Sequence, residues 1–211
     1  MTEFSAVLIT DPEWMSERLR LARALYGSAP NRVLGTVWWY STSSVLVAPP
    51  LEALLHTGRA VDPALDAVTL QIHPDGRLVD AHSSRPFNGD ASAMGQAMGA
   101  ALAAAITSVS SACGASERAL WAIAADSIAN RALWAGQAVG DVDRALAVVD
   151  AVSDGIGSAL PRPRFERYGE RVVVRRVSCC LIDKATGLPK CASCPNQHPD
   201  ERAHRIRAAL P

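Results

Sequence analysis

The sequence predicts a mainly α-helical α+β fold: a helical bundle with small β-hairpins, on which a C-terminal loop of four cysteines packs. Three observations lead there. The centre of the chain, from Ala91 to about Val152, repeats its apolar residues at helical spacing. Strand-like runs are short and confined to two places. Four of the five cysteines fall within sixteen positions near the C-terminus, as Cys179-Cys180, ten residues, then Cys191-Ala192-Ser193-Cys194.

The elements follow in order. Asp11-Pro12-Glu13 opens a helix, with Asp11 as N-cap and Pro12 at the first helical position. Leu19, Ala22 and Leu25 continue it, and Gly27 ends it. Residues 32–47 are ambiguous. Val33, Val37, Trp38, Trp39, Tyr40, Val45 and Val47 favour strand by propensity, yet they alternate poorly and are apolar on all sides, as in a buried helix. Leu51 to His56 reads as a short helix closed by Gly58. Val68–Ile72, Pro74-Asp75-Gly76 and Leu78–Ala81 read as a hairpin.

Next comes an Ala-rich helix from Ala91 to about Ser111. A second opens at Ser116-Glu117 with Leu120, Trp121, Ala124, Ile128 and Leu133 as its apolar positions. Asp141 caps a third. Pro161-Arg162-Pro163 breaks the pattern and divides residues 1–160, mainly helical, from a basic segment, 161–211, expected to pack on it as one compact unit. Phe165 to Val177 reads as one or two strands with a turn at Tyr168-Gly169. A turn at Gly187-Leu188-Pro189 lies inside the cysteine loop, and Pro199-Asp200-Glu201 opens a last basic helix.

Composition fits a folded domain with a core of its own: 211 residues, 49% hydrophobic, 20% charged, net charge zero. The charge is unevenly placed. Residues 161–211 hold 11 Lys+Arg against 5 Asp+Glu, and residues 1–160 hold 10 against 16. A basic end suits an anionic ligand or an acidic protein partner. Nucleic acid is not expected, because the segment lacks interleaved aromatics for base stacking. Val33–Leu51 and Ala91–Ser116 are uncharged and near the length of a membrane span. The first is rich in Ser and Thr and ends in Pro49-Pro50; the second is built of Ala, Gly and Ser. Neither is read as transmembrane, and Gly95 and Gly99 are read as a site of close helix packing.

Four clustered thiolates are the ligand set of an iron–sulfur cluster or a zinc ion. Adjacent cysteines in an extended segment point to opposite faces, so Cys179 and Cys180 share a site only if the backbone turns there. Two irons accommodate that arrangement more readily than one tetrahedral ion, which favours iron–sulfur and leaves structural zinc as the alternative. Disulfides are not expected. The start lacks the basic region and apolar run of an export signal, which predicts a cytoplasmic, reducing location. C-x-x-C commonly chelates one metal, so Cys191 and Cys194 are expected on the same iron. Cys113 is read as a small core residue and His198 as a capping or surface residue.

The run Arg175-Arg176-Val177-Ser178-Cys179-Cys180, ten residues, Cys191-Ala192-Ser193-Cys194-Pro195 resembles the C-terminal signature of FhuF-type ferric siderophore reductases, which bind a 2Fe–2S cluster through C-C-x10-C-x2-C. The segment around Leu120-Trp121, with Ser127 and Asn130, resembles that family's Leu-Trp helix, so the likeness spans roughly residues 90–200. Ala192 departs from the glycine that many relatives carry there. The resemblance implies a cytoplasmic enzyme that passes one electron to ferric iron held by a siderophore, with Cys179, Cys180, Cys191 and Cys194 as cluster ligands. Arg175, Arg176, Trp121 and Arg131 are the candidate electrostatic or substrate contacts. The chain has no G-x-G-x-x-G between a strand and a helix, so electrons are expected from an external donor, a ferredoxin or a flavoprotein reductase. Two other functions remain open: a 2Fe–2S carrier or assembly partner that binds no siderophore, and a zinc-binding docking module.

Overall fold

The computed structural model describes residues 1–210. Its elements are β1 (Thr2–Ser5), a 3-10 turn (Ala6–Thr10), α1 (Pro12–Tyr26), α2 (Asn31–Thr57), β2 (Val68–Ile72), β3 (Leu78–Ser83), α3 (Ala91–Cys113), α4 (Glu117–Ala138), α5 (Val142–Ile156), β4 (Phe165–Tyr168), β5 (Arg171–Val174), α6 (Ile182–Thr186) and α7 (Pro199–Ala209). The fold is mainly α-helical α+β, as predicted.

The organising element is α2. The ambiguous stretch and the short helix after it are one continuous helix of 27 residues that runs through Pro49 and Pro50. An internal proline costs about 3 kcal/mol in an isolated helix. Here the helix is held from outside: Leu34, Trp38, Trp39, Leu46, Leu51 and Leu55 are all buried. Several of its polar groups are satisfied within the core, whereas Trp38 Nε1 and Thr42 Oγ1 are buried without a partner. The Thr36 hydroxyl donates to Arg32 O at 2.6 Å, the Trp39 indole N–H donates to Leu120 O at 2.9 Å, and the Ser43 and Ser127 hydroxyls lie 2.8 Å apart. Helix α4 packs along α2 through these bonds.

Helices α3 and α5 approach so closely that side chains would not fit between them. A Cβ on Gly95 would lie 2.3 Å from Val152 O, and one on Gly155 would lie 2.0 Å from Ser92 O. This gives the G-x-x-x-G spacing a packing role between helices of this chain. Helix α3 is long and apolar enough to cross a membrane by length and composition.

The N-terminal hairpin is larger than its sequence indicated. Residues 2–5 form a third strand, giving the antiparallel order β1-β2-β3 with Phe4 opposite Leu70 and Leu70 opposite Ala81. Its buried face, Val68, Leu70, Ile72, Leu78 and Ala81, joins the main core. A four-residue run with one large apolar side chain carries too little periodicity to be read as a strand alone.

The basic C-terminal segment packs on the helices. Val172 and Val174 of the β4–β5 hairpin cluster with Ala129 and Leu133 of α4. Leu181 and Ala185 pack on Ala22, Ala29, Val33 and Leu34, at the α1–α2 corner. Sequence reading did not anticipate α6, a single turn within the cysteine loop.

Candidate metal centre

The four C-terminal cysteines lie between β5 and α7, in a segment that packs on α2 and α4. Two devices hold the first half of the motif. The first is a turn. Leu181 has φ 59° and is the only described residue other than glycine with positive φ. That conformation is costly for a large side chain, and burial of Leu181 against the α1–α2 corner holds it. It reverses the chain directly after Cys180, so the neighbouring thiols can reach different partners.

The second is Asp126. Its carboxylate, on α4, is 1% exposed and accepts from the Val177 amide (2.9 Å), the Ser178 amide (3.1 Å), the Ser178 hydroxyl (2.6 Å) and Arg176 Nε (3.4 Å). It therefore fastens the three residues that lead into Cys179 to the helical core. Burial pushes this carboxyl above the ordinary range, against the pull of the Ser178 hydroxyl, the Val177 amide and the Arg176 cation. Sequence reading missed Asp126. The signal was present: one acid within the small-residue and apolar run Ala122–Ala129, where an unpaired charge would be very costly to bury.

The second half is held by side chains. Gln197 donates to Cys191 O at 2.7 Å and accepts from Arg205 of α7 at 2.6 Å. Lys190 Nζ donates to Asn196 O at 2.6 Å. His198 accepts from the Asp200 amide at 3.4 Å, capping α7.

The sulfurs fall into two pairs. Cys179 Sγ lies 3.7 Å from Cys194 Sγ. The neighbouring Cys180 thiol lowers Cys191 to about 6, and Cys191 in turn raises Cys180. Burial raises Cys194. Each pair takes one thiol from each half of the motif. The Cys191–Cys194 turn is closed by its own backbone bond, Cys194 N–H to Cys191 O at 3.1 Å, and its two thiols engage different cysteines of the first half.

Of the two arginines before the motif, Arg176 faces inward and Arg175 outward, as alternation along an extended segment requires. Arg175 pairs with Glu166 at 3.3 Å at the surface. Arg176 is 7% exposed, lies over the Tyr40 ring at 4.8 Å, and directs Nη1 to Cys191 Sγ at 3.5 Å. Burial works against this cation, but Tyr40, Cys180, Asp126 and Cys191 together raise its pKa. Its Nη2 is buried without a hydrogen-bond partner. An orphaned guanidinium nitrogen beside two thiols fits a site built for further acceptor atoms.

A tetrahedral metal with sulfur bonds of about 2.3 Å places two of its sulfurs roughly 3.8 Å apart. The Cys179–Cys194 pair already has that separation. Among the described residues no three His, Cys, Asp or Glu side chains form a group that would hold a metal ion as they stand, so a zinc or an iron–sulfur site alike would draw the other thiols inward. The four thiols and the unpartnered Arg176 nitrogen fit either a zinc ion or an iron–sulfur cluster.

No family model matches the chain, and no curated protein matches it.

The other candidates lie apart from the thiols. Trp121 is 9% exposed within the main core. Arg131 hydrogen-bonds Ser44 at 2.9 Å, pairs with Glu52 at 3.2 Å and lies over the Trp134 ring at 5.6 Å. Cys113 is buried at the end of α3, and a Cβ on Gly35 would lie 2.3 Å from its sulfur. Cys113→Ala is expected to retain all bound iron and to lose about 1 kcal/mol of stability, the cost of a small void. Iron analysis and urea unfolding check both; loss of iron with the fold intact would show a fifth ligand.

Proposed function

We propose that this protein is a ferric-siderophore reductase of the FhuF type, holding a 2Fe–2S cluster through Cys179, Cys180, Cys191 and Cys194. The observation that supports the reading is the four-thiol motif with the buried, unpartnered Arg176 nitrogen beside Cys191. On this reading Cys179 and Cys194 serve one iron, Cys180 and Cys191 the other. Bound there, the cluster supplies one electron at a time.

The chain's own residues do the rest. The turn at Leu181 and the Asp126 clamp preset the thiol positions, so little ordering cost falls on metal binding. Arg176 supplies a fixed positive charge and a hydrogen bond to sulfur, both of which favour the more negative reduced state. Cys179 and Cys191 are only partly buried, which leaves short routes to a donor protein and to a substrate. Siderophores hold Fe(III) through hard oxygen donors and Fe(II) far more weakly. One electron therefore labilises the metal.

Protein purified anaerobically after iron-replete growth is expected to be coloured and to hold about two irons per chain. Once reduced, it is expected to be oxidised rapidly by a ferric siderophore, with Fe(II) captured by a chelator. NADPH alone is expected to support no turnover, since the chain lacks a dinucleotide fingerprint. Colourless protein with stoichiometric zinc would leave the docking-module reading. A stable cluster that no ferric siderophore oxidises would leave the carrier reading.

A further inference from the structure

The two halves of the cysteine motif are held by opposite chemistry. Asp126 collects amide and hydroxyl donors ahead of Cys179. Gln197 does the reverse after Cys194, gathering carbonyl oxygens of the Cys191–Cys194 turn. Its side-chain nitrogen donates to Cys191 O at 2.7 Å and lies 3.3 Å from Ala192 O and 3.4 Å from Cys194 O. An amide nitrogen has hydrogens for only some of these acceptors, so the short contact to Cys191 O takes the larger share. That same carbonyl accepts the Cys194 amide at 3.1 Å, the bond that closes the turn. Gln197 therefore acts on the atom that sets the spacing of the two cysteines.

The other end of the Gln197 amide is fixed as well. Arg205 Nη1 donates to Gln197 Oε1 at 2.6 Å. Gln197 stands one residue before His198, the N-cap of α7, and Arg205 lies within that helix. A chain of bonds thus runs from α7 through Gln197 to the turn. Few side chains suit this position. Glutamate has the length but no donor, and asparagine has the donor but is one methylene shorter. The gathered carbonyl oxygens carry partial negative charge. Held on a donor, they are not free to swing toward the sulfurs, which are anionic when they bind a metal.

We infer that Gln197 is the positioning residue for the Cys191–Cys194 half of the metal site, and that Arg205 makes its hold depend on the placement of α7. This role rests on the four-thiol site proposed above and applies to a zinc ion and to an iron–sulfur cluster alike. Gln197 acts through the backbone of the turn, not as a ligand. Hydrogen-bond partners of this kind behind metal ligands are worth about 10–100-fold in metal affinity. Helix α7 is thereby a handle on the site: displacing it takes the anchor from Gln197 and loosens the turn.

Metal-loaded protein as purified is compared with Gln197→Glu, Gln197→Ala and Arg205→Ala. Gln197→Glu keeps the length and gains an ion pair with Arg205, but it presents oxygen to the carbonyls in place of N–H. One readout is the rate at which excess chelator removes the metal. The other is backbone hydrogen exchange, resolved by segment. Both Gln197 variants are expected to release metal about tenfold faster or more. Exchange is expected to rise in residues 191–198 and to stay at the parent level in residues 176–182, which Asp126 holds. Arg205→Ala is expected to fall between the parent and Gln197→Ala. Release from Gln197→Glu at the parent rate would overturn the inference. So would an equal rise of exchange in both segments, which marks general destabilisation. Fast release from Gln197→Ala with Arg205→Ala at the parent rate would remove the dependence on α7. Parent protein that holds neither iron nor zinc, with exchange still rising only in residues 191–198 of the variants, would defeat the metal reading and leave the hold of Gln197 on the turn standing.

Discussion

Asp126→Ala is expected to lose about 3–5 kcal/mol of stability and to purify with little iron. Removing one partner of a buried ion pair leaves the other charge uncompensated, and that alone is worth about this much. The Val177 and Ser178 amides and the Ser178 hydroxyl would lose their shared acceptor in the same step. Each buried donor left unpaired costs about 1–3 kcal/mol, though the amounts overlap because the freed segment relaxes as a unit. That relaxation is the functional consequence, since residues 176–178 lead directly into Cys179. Asp126→Asn keeps the shape and one acceptor oxygen but opposes donor to donor at the other position, so an intermediate result is expected. Denaturant unfolding and iron analysis on the three proteins check the order. A stability change under 1 kcal/mol in Asp126→Ala, with iron at the parent level, would show that the carboxylate is a spectator.

Arg176→Gln is expected to lower the reduction potential of the bound cluster by roughly 100 mV. A unit charge about 5 Å from the added electron, at an effective dielectric near 20, is worth about 3 kcal/mol, and one-electron couples shift about 59 mV per 1.4 kcal/mol. The compensating charge of Asp126 brings the figure down. The sign is firm, because a cation stabilises the more negative state and its removal destabilises reduction. Arg175→Gln is the control: that side chain is exposed, tied to Glu166, and expected to shift the potential little. Arg176→Lys keeps the charge and loses the planar fork, so it separates electrostatics from folding; its potential is expected to stay near the parent value. A potentiometric titration in which Arg176→Gln equals the parent would remove the electrostatic role of Arg176 even with ligation intact.

The amino-acid sequence by itself determined the candidate ligand set and most of the elements. Four thiols in C-C-x10-C-x2-C limit the chemistry before any coordinate is known. Asp11, Ser116 and Asp141 mark helix starts because capping is local, settled by an oxygen and an amide three residues on. The inward and outward faces of Arg175 and Arg176 follow from strand alternation in the same local way. What required tertiary structure is what depends on partners distant in the chain. Residues 32–47 were ambiguous because a helix apolar on every side carries no amphipathic period; its neighbours, α4 above all, decide that it is a helix and carry it through two prolines. Residues 2–5 became a strand only because β2 offered an edge. Cys179 meets Cys194, of the other half of the motif, in a loop turned at Leu181 and held by a corner built from α1 and α2. Asp126, fifty residues before Arg176, reads as a misplaced charge until the loop it clamps is folded against it. Tyr40 and Trp134 lie 94 positions apart and share a groove for the same reason. Spacing along the chain specifies which atoms are available, while burial against distant segments specifies where they point.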